Sequence, residues 1–160
     1  MLRLVHFLLL SSVFASDILH FSPIKFRNCK STFDVLSVEV SHCHAVGTRC
    51  QFRKGTSPHI RIAFKPNTQV DELRGEVRAK LGETYVPFHI RNMDACSNSN
   101  ITCPLEAGET YYYSQSVRIL DEYPNVNVQI NWFLSNPAYR FHPRFRKKEI
   151  CIIFLAKVID

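Results

Sequence analysis

The sequence predicts an all-β protein, an antiparallel β-sandwich, from three observations. Apolar and polar residues alternate over most of its length, turn residues separate the alternating runs, and six cysteines lie behind an apolar leader. Alternation with period two marks strands with one buried and one wet face. Seven or so short strands at this spacing, divided by turn signals, are the pattern of a sandwich. No window carries an apolar stripe of helical period with capping residues at its ends.

The first element is the leader. Arg3 supplies a positive start, Leu4 to Leu10 with Val13 and Phe14 form a short apolar run, and Val13-Phe14-Ala15 places branched or small residues before a cleavage point after Ala15. This is the layout of a signal peptide over residues 1–15. The run is too short to span a bilayer. Residues 16–160 then form one domain, long enough for a core of its own. The expected location is secreted or extracellular, with delivery to the lysosomal lumen as a further destination.

Secretion turns the cysteines into a framework. Cys43 and Cys50 are close in sequence, as are Cys96 and Cys103, and Cys29 and Cys151 stand near opposite ends. Six cysteines allow 15 connectivities. The simplest is Cys29–Cys151, Cys43–Cys50 and Cys96–Cys103, two stapled loops and one long clasp. The clasp closes the longest loop and contributes roughly 4–5 kcal/mol in the chain-entropy account. Zinc ligation is the weaker alternative, because its cysteine spacing is usually shorter.

The strands follow in order. Leu36, Val38 and Val40 alternate with polar neighbours; so do Ile60, Ile62 and Phe64, and then Leu73, Val77, Ala79 and Leu81. Tyr111, Tyr113, Val117 and Ile119 share one parity, as do Val126, Val128, Ile130, Trp132 and Leu134. Ile150 to Ile159 is apolar on both parities, the pattern of a central strand covered on both faces. Lys54-Gly55, Lys65-Pro66-Asn67 and Ala107-Gly108 are the turn signals between them. Asn100-Ile101-Thr102 is a glycosylation sequon inside the Cys96–Cys103 loop.

A formal charge of +6 with 21% charged residues is mildly basic and well short of a nucleic-acid binder. No nucleophile elbow, zinc-protease helix or phosphate loop is present, so no enzyme activity, cofactor or metal is implied. His42 and His44 flank Cys43 without a third ligand.

Six segments carry a resemblance: FRNC, RCQFRKGTSPHIRIAF, VPFHIRNMDAC, CPLEAGETYYY, DEYPNVNVQINWFL and CIIFLAKVI. Together they resemble the ML lipid-recognition domain family over essentially all of residues 24–159. Within it they are most similar to the branch of soluble Niemann-Pick type C sterol-transfer proteins, and the group 2 mite allergens share the same skeleton. The resemblance implies the same three disulfides. It also implies an immunoglobulin-like sandwich with an apolar pocket between its sheets, and hence a secreted lipid-transfer protein for a sterol, a fatty acid or another lipid. The alternative is an innate-immune recognition module that presents bacterial or acylated lipid to a receptor. A further alternative is a closed sandwich acting only through its surface.

The lipid-binding residues that the resemblance implies are Phe64, Phe88, Ile119, Tyr123, Pro124 and Trp132, with glycosylation at Asn100. A monomer is expected, with a membrane surface or membrane receptor as partner and no nucleic acid. Two departures stand out. His89 and Arg91 replace prolines of the sterol carriers at the pocket mouth, which leaves the lipid class open. Arg140 to Lys148 is longer and more basic than the corresponding hairpin, and reads either as a membrane-docking tract or as a solvated hairpin over Phe141 and Phe145.

Overall fold

In a computed structural model of the protein, residues 20–88, 90–138 and 148–160 are described. The leader, His89 and the basic tract apart from Lys148 lie outside them. The described strands are β1 (Phe21–Pro23), β2 (Arg27–Asn28), β3 (Asp34–Ser41), β4 (His44–Val46), β5 (Arg49–Arg53), β6 (His59–Lys65), β7 (Arg74–Leu81), β8 (Thr84–Phe88), β9 (Tyr111–Ser116), β10 (Asn127–Ser135) and β11 (Ile150–Ile159).

They form two sheets. The smaller has the order β1-β3-β6-β9, and the larger the order β4-β5-β11-β10-β7-β8, with β2 also pairing β11. The expected all-β, immunoglobulin-like sandwich is present. Pairing is antiparallel except between β5 and β11, which run parallel from Leu155 opposite Arg49 to Ile159 opposite Arg53. That pair requires a long crossover, which the alternating pattern alone does not reveal.

Inward parity on most strands is the one read from the sequence. Ile60, Ile62 and Phe64 are buried, as are Val77 and Ala79 on β7 and Val128, Trp132 and Leu134 on β10. Leu36 departs from it and is 52% exposed. The register between β3 and β6 shifts between Val35 and Ser37. One extra residue in a strand flips the faces on either side of it. Leu36 is therefore turned outward, while Phe33 before the shift and Val38 after it both reach the core.

Strand β11 is central, as its two-sided apolarity predicted, flanked by β5 and β10. Its outer face is only partly covered: Ile153 and Leu155 are half-buried and Lys157 is exposed. The parity of Tyr111 to Ile119 continues past the end of β9 at Ser116 into an irregular segment. The inward position after Tyr113 holds Gln115, whose side-chain amide donates to the Asn92 carbonyl at 3.0 Å. This satisfies a buried polar group that would otherwise be costly.

The three disulfides are Cys29–Cys151, Cys43–Cys50 and Cys96–Cys103. The first joins the start of β11 to the neighbourhood of β2, and Cys29 N–H donates to the Cys151 carbonyl beside it at 2.8 Å. That end of the sandwich is filled. Phe33 stacks on Phe64 at 6.0 Å between centroids, and Phe64 meets Tyr111 at 6.1 Å. Val70 and Leu105, from the loops between strands, close it with a pair of main-chain hydrogen bonds of 3.0 and 2.8 Å.

Candidate functional site

The opposite end is hollow. A cavity of about 210 Å³ lies between the sheets. The larger sheet contributes Val77, Ala79, Val128, Ile130, Trp132, Phe154 and Ala156, and the smaller contributes Val40 and Ile60. These are the inward residues of alternating strands, and two of them, Ala79 and Ala156, are short. Ala79 and Ala156 lie where a longer side chain would fill the gap, so two sheets held about 10 Å apart leave space between them.

Two lips border the cavity. One is β8, with Val86, Pro87 and Phe88 on the lining. It is the edge of the larger sheet and hydrogen-bonds only to β7. Pro87 is tolerated there because an edge strand has no second ladder to complete. The other lip is the segment from Val117 to Val126, which contributes Val117, Ile119, Tyr123, Pro124 and Val126. This lip is tied down. Val117 N–H donates to Pro58 O at 3.0 Å, Ile119 N–H to Thr56 O at 2.9 Å, Gly55 N–H to Ile119 O at 2.8 Å and Val158 N–H to Val126 O at 2.9 Å. Gly55, at φ +75°, has Asp121 Oδ1 3.3 Å from where a Cβ would sit. A side chain there would strain the turn that anchors the lip.

Phe88 and Tyr123 meet across the mouth, edge to face, with ring centroids 5.5 Å apart. The Tyr123 hydroxyl titrates above its ordinary range, first because burial disfavours the phenolate and then because of the Glu122 charge. It is therefore a neutral hydrogen-bonding group at any ordinary pH. Trp132 is covered at its edge by Tyr113, at 6.2 Å and 65°. Burial raises the Tyr113 hydroxyl far above its usual range, and neighbouring Trp132 offsets only part of this.

Five residues expected to bind lipid line this cavity: Phe88, Ile119, Tyr123, Pro124 and Trp132. Phe64 does not. It has the same parity on β6 as Ile60, which does line the cavity. Four residues further along, roughly 13 Å at strand rise, Phe64 is locked between Phe33 and Tyr111 at the filled end. Arg91 is exposed and is not on the lining. Ala79, Ala156, Val86 and Pro58 were not singled out from sequence. Small inward residues on strands of one sheet are a signal that could have found Ala79 and Ala156; none points to Val86 or Pro58. Asn100 is exposed, as expected of a glycosylation site, in the loop closed by Cys96–Cys103. Among the described residues no cluster of His, Cys, Asp and Glu could hold a metal ion, and no helix is long and apolar enough to cross a membrane.

The ML domain pattern matches residues 23–138. A Caenorhabditis elegans protein, heh-1, is 37% identical over 163 residues, covering 98% of this chain and 99% of that protein. The Bos taurus NPC intracellular cholesterol transporter 2 is 33% identical over 115 residues, 71% of this chain and 75% of the transporter. The crystal structure of a Niemann-Pick type C2 protein from the Japanese carpenter ant superposes with a TM-score of 0.74 at 21% sequence identity. That match covers 85% of this chain and 100% of the ant chain.

Proposed function

The chain belongs to the ML domain family, and on that premise we propose that it is a secreted lipid-transfer protein carrying a sterol or similar hydrophobic ligand between its two sheets. The observation that supports this is the cavity itself. Its wall is apolar except at His59 and the Tyr123 hydroxyl, and it opens past Phe88 and Tyr123. Such a wall can do little chemistry on a ligand. It can exclude water from one. Taking about 300 Å² of ligand surface out of water, at about 25 cal/mol per Å², contributes roughly 7 kcal/mol before ordering costs.

Size makes the reading specific. A cavity of about 210 Å³ is larger than the roughly 150 Å³ that holds benzene in an engineered core. It is smaller than the roughly 300 Å³ at which pockets for drug-sized ligands begin. A sterol therefore requires the cavity to widen. The lip that gives way is β8, which has hydrogen-bonded neighbours on one side only, and the Phe88–Tyr123 contact breaks as it moves.

The test is extraction and mass spectrometry of the natively secreted protein, followed by titration with a fluorescent sterol and a fluorescent fatty acid. Co-purified sterol with saturable sterol binding is expected. Saturable binding of the fatty acid alone changes the ligand class. A co-purified acylated glycolipid favours receptor presentation. The absence of both co-purified lipid and saturable binding rejects the carrier.

A further inference from the structure

A second groove, of about 380 Å³, lies on the outer face of the smaller sheet and is lined by polar side chains together with Phe21. We infer that it seats the first sugars of an N-linked glycan carried by Asn100. This inference is independent of the lipid cavity.

Asn100 is at once the acceptor of the sequon and a residue of the groove wall. The loop that carries it lies along the free edge of the smaller sheet, where Ser114 N–H on β9 donates to the Ser99 carbonyl at 2.7 Å. Asn98 and Asn100 take φ of 53° and 71°, a left-handed bend that asparagine tolerates. The Asn100 side-chain amide donates to the Tyr112 carbonyl at 3.4 Å. A glycosylated amide keeps one N–H, and this tether survives attachment when that hydrogen is the one directed at Tyr112. The sugar thus leaves from a held atom at the rim.

The groove offers what a pyranose binds. Ser114 and Ser116 supply hydroxyls. Phe21 supplies a ring, and Arg61 lies over it at 4.3 Å while paired to Glu39 at 2.6 Å. These side chains are held, so they lose little freedom when a sugar packs on them. From β9 to β1 is three strand steps, about 14 Å, room for more than one sugar.

The experiment expresses the protein behind an independent secretion leader, so that it does not rest on residues 1–15. Occupancy at Asn100 is read by mass spectrometry. Release of the whole glycan from the native protein by a glycoamidase, which hydrolyses the bond between Asn100 Nδ2 and the first sugar, is then timed in the parent and in a Ser114→Ala, Ser116→Ala double variant. The double variant removes hydroxyls without blocking access. Release is expected to be about tenfold slower in the parent, equivalent to about 1.4 kcal/mol of preference for the seated form. Contacts between the N-acetyl methyl and Phe21 or Arg61 are expected by NMR. An unoccupied sequon, equal release rates, or a sugar without contacts to this face each overturn the inference. Lipid binding is expected to be the same with and without the glycan, which separates this test from that of the cavity.

Discussion

The two ends of the sandwich use the same strands and differ in what fills the space between them. On β6, Phe64 faces the filled end and Ile60 the hollow one. On β7, Gly75 faces the filled end and Ala79 the cavity. The filled end gathers Phe33, Phe64 and Tyr111 and is covered by loops bearing Val70, Leu73, Ile101 and Leu105, all four buried. The hollow end has alanines at two inward positions, Ala79 and Ala156, with one anchored lip and one edge strand. The packing rule is the same at both ends, and the cavity arises where side-chain volume runs out before the sheets converge.

The largest test of this contrast is a pair of phenylalanines. Phe64→Ala is expected to cost about 3–5 kcal/mol, because a fully buried ring leaves a void in rigid surroundings. Phe88→Ala, at the half-buried mouth, is expected to cost under about 1.5 kcal/mol and to weaken lipid binding. Chemical denaturation and ligand titration of both variants measure this. Equal losses of stability would mean that the mouth is ordinary core.

A smaller effect separates two positions on β7. A Cβ at Gly75 would stand 3.0 Å from Ile90 Cδ1 and 3.1 Å from the Tyr113 hydroxyl oxygen. Crowding of that kind costs about 1–3 kcal/mol, and the lower entropy of the unfolded chain returns about 0.5–1 kcal/mol. Gly75→Ala is therefore expected to lose about 1 kcal/mol. Ala79→Leu points into empty space and is expected to leave stability unchanged or raise it by about 0.5–2 kcal/mol while abolishing lipid binding. If Ala79→Leu destabilises as much as Gly75→Ala, the cavity is not a standing void.

The smallest effect concerns the anchored lip. Asp160 accepts from Lys54 at 2.8 Å and from the Asn125 side-chain amide at 2.6 Å, beside Pro124. Its carboxyl titrates below its ordinary value of 3.8, first because of the Lys54 hydrogen bond and then the Asn125 one. A lowered pKa in the folded state means the contribution is present above the unfolded value and fades as pH falls through the folded one. The carboxyl is exposed, so the effect is slight. Asp160→Asn is expected to melt slightly below the parent at pH 6, with the difference shrinking as pH falls below 3.8. A difference that persists in acid would show that charge is not its source.

Much of this was legible in the sequence because it depends on local chemistry. Alternation marked β3, β6, β7, β9 and β10 and most of their inward faces, since the side-chain period of a strand is two; the short strands β1, β2, β4, β5 and β8 carried no such run. Even Leu36 followed the rule until a bulge reversed it, and a bulge leaves no trace in hydrophobicity. Cysteine spacing together with the family resemblance identified the pairs that the structure contains. Five of the six pocket residues came from motif positions near Cys96 and the Glu122-Tyr123-Pro124 turn, where chain geometry is set locally. Phe64 was misplaced because parity says which face a residue is on, not how far along the sandwich it lies.

By itself, then, the sequence determined the all-β class, the buried faces of the strands that alternate and the ML resemblance, which in turn implied residues for the cavity mouth. Each of these is carried by neighbours along the chain. Only the tertiary structure decided the parallel pairing of β5 with β11, the division into a filled and a hollow end, and the meeting of Asn100 with Ser114, Arg61 and Phe21 around one groove. Those depend on which residues from distant strands face one another, and on whether their summed volumes fill the gap between two sheets.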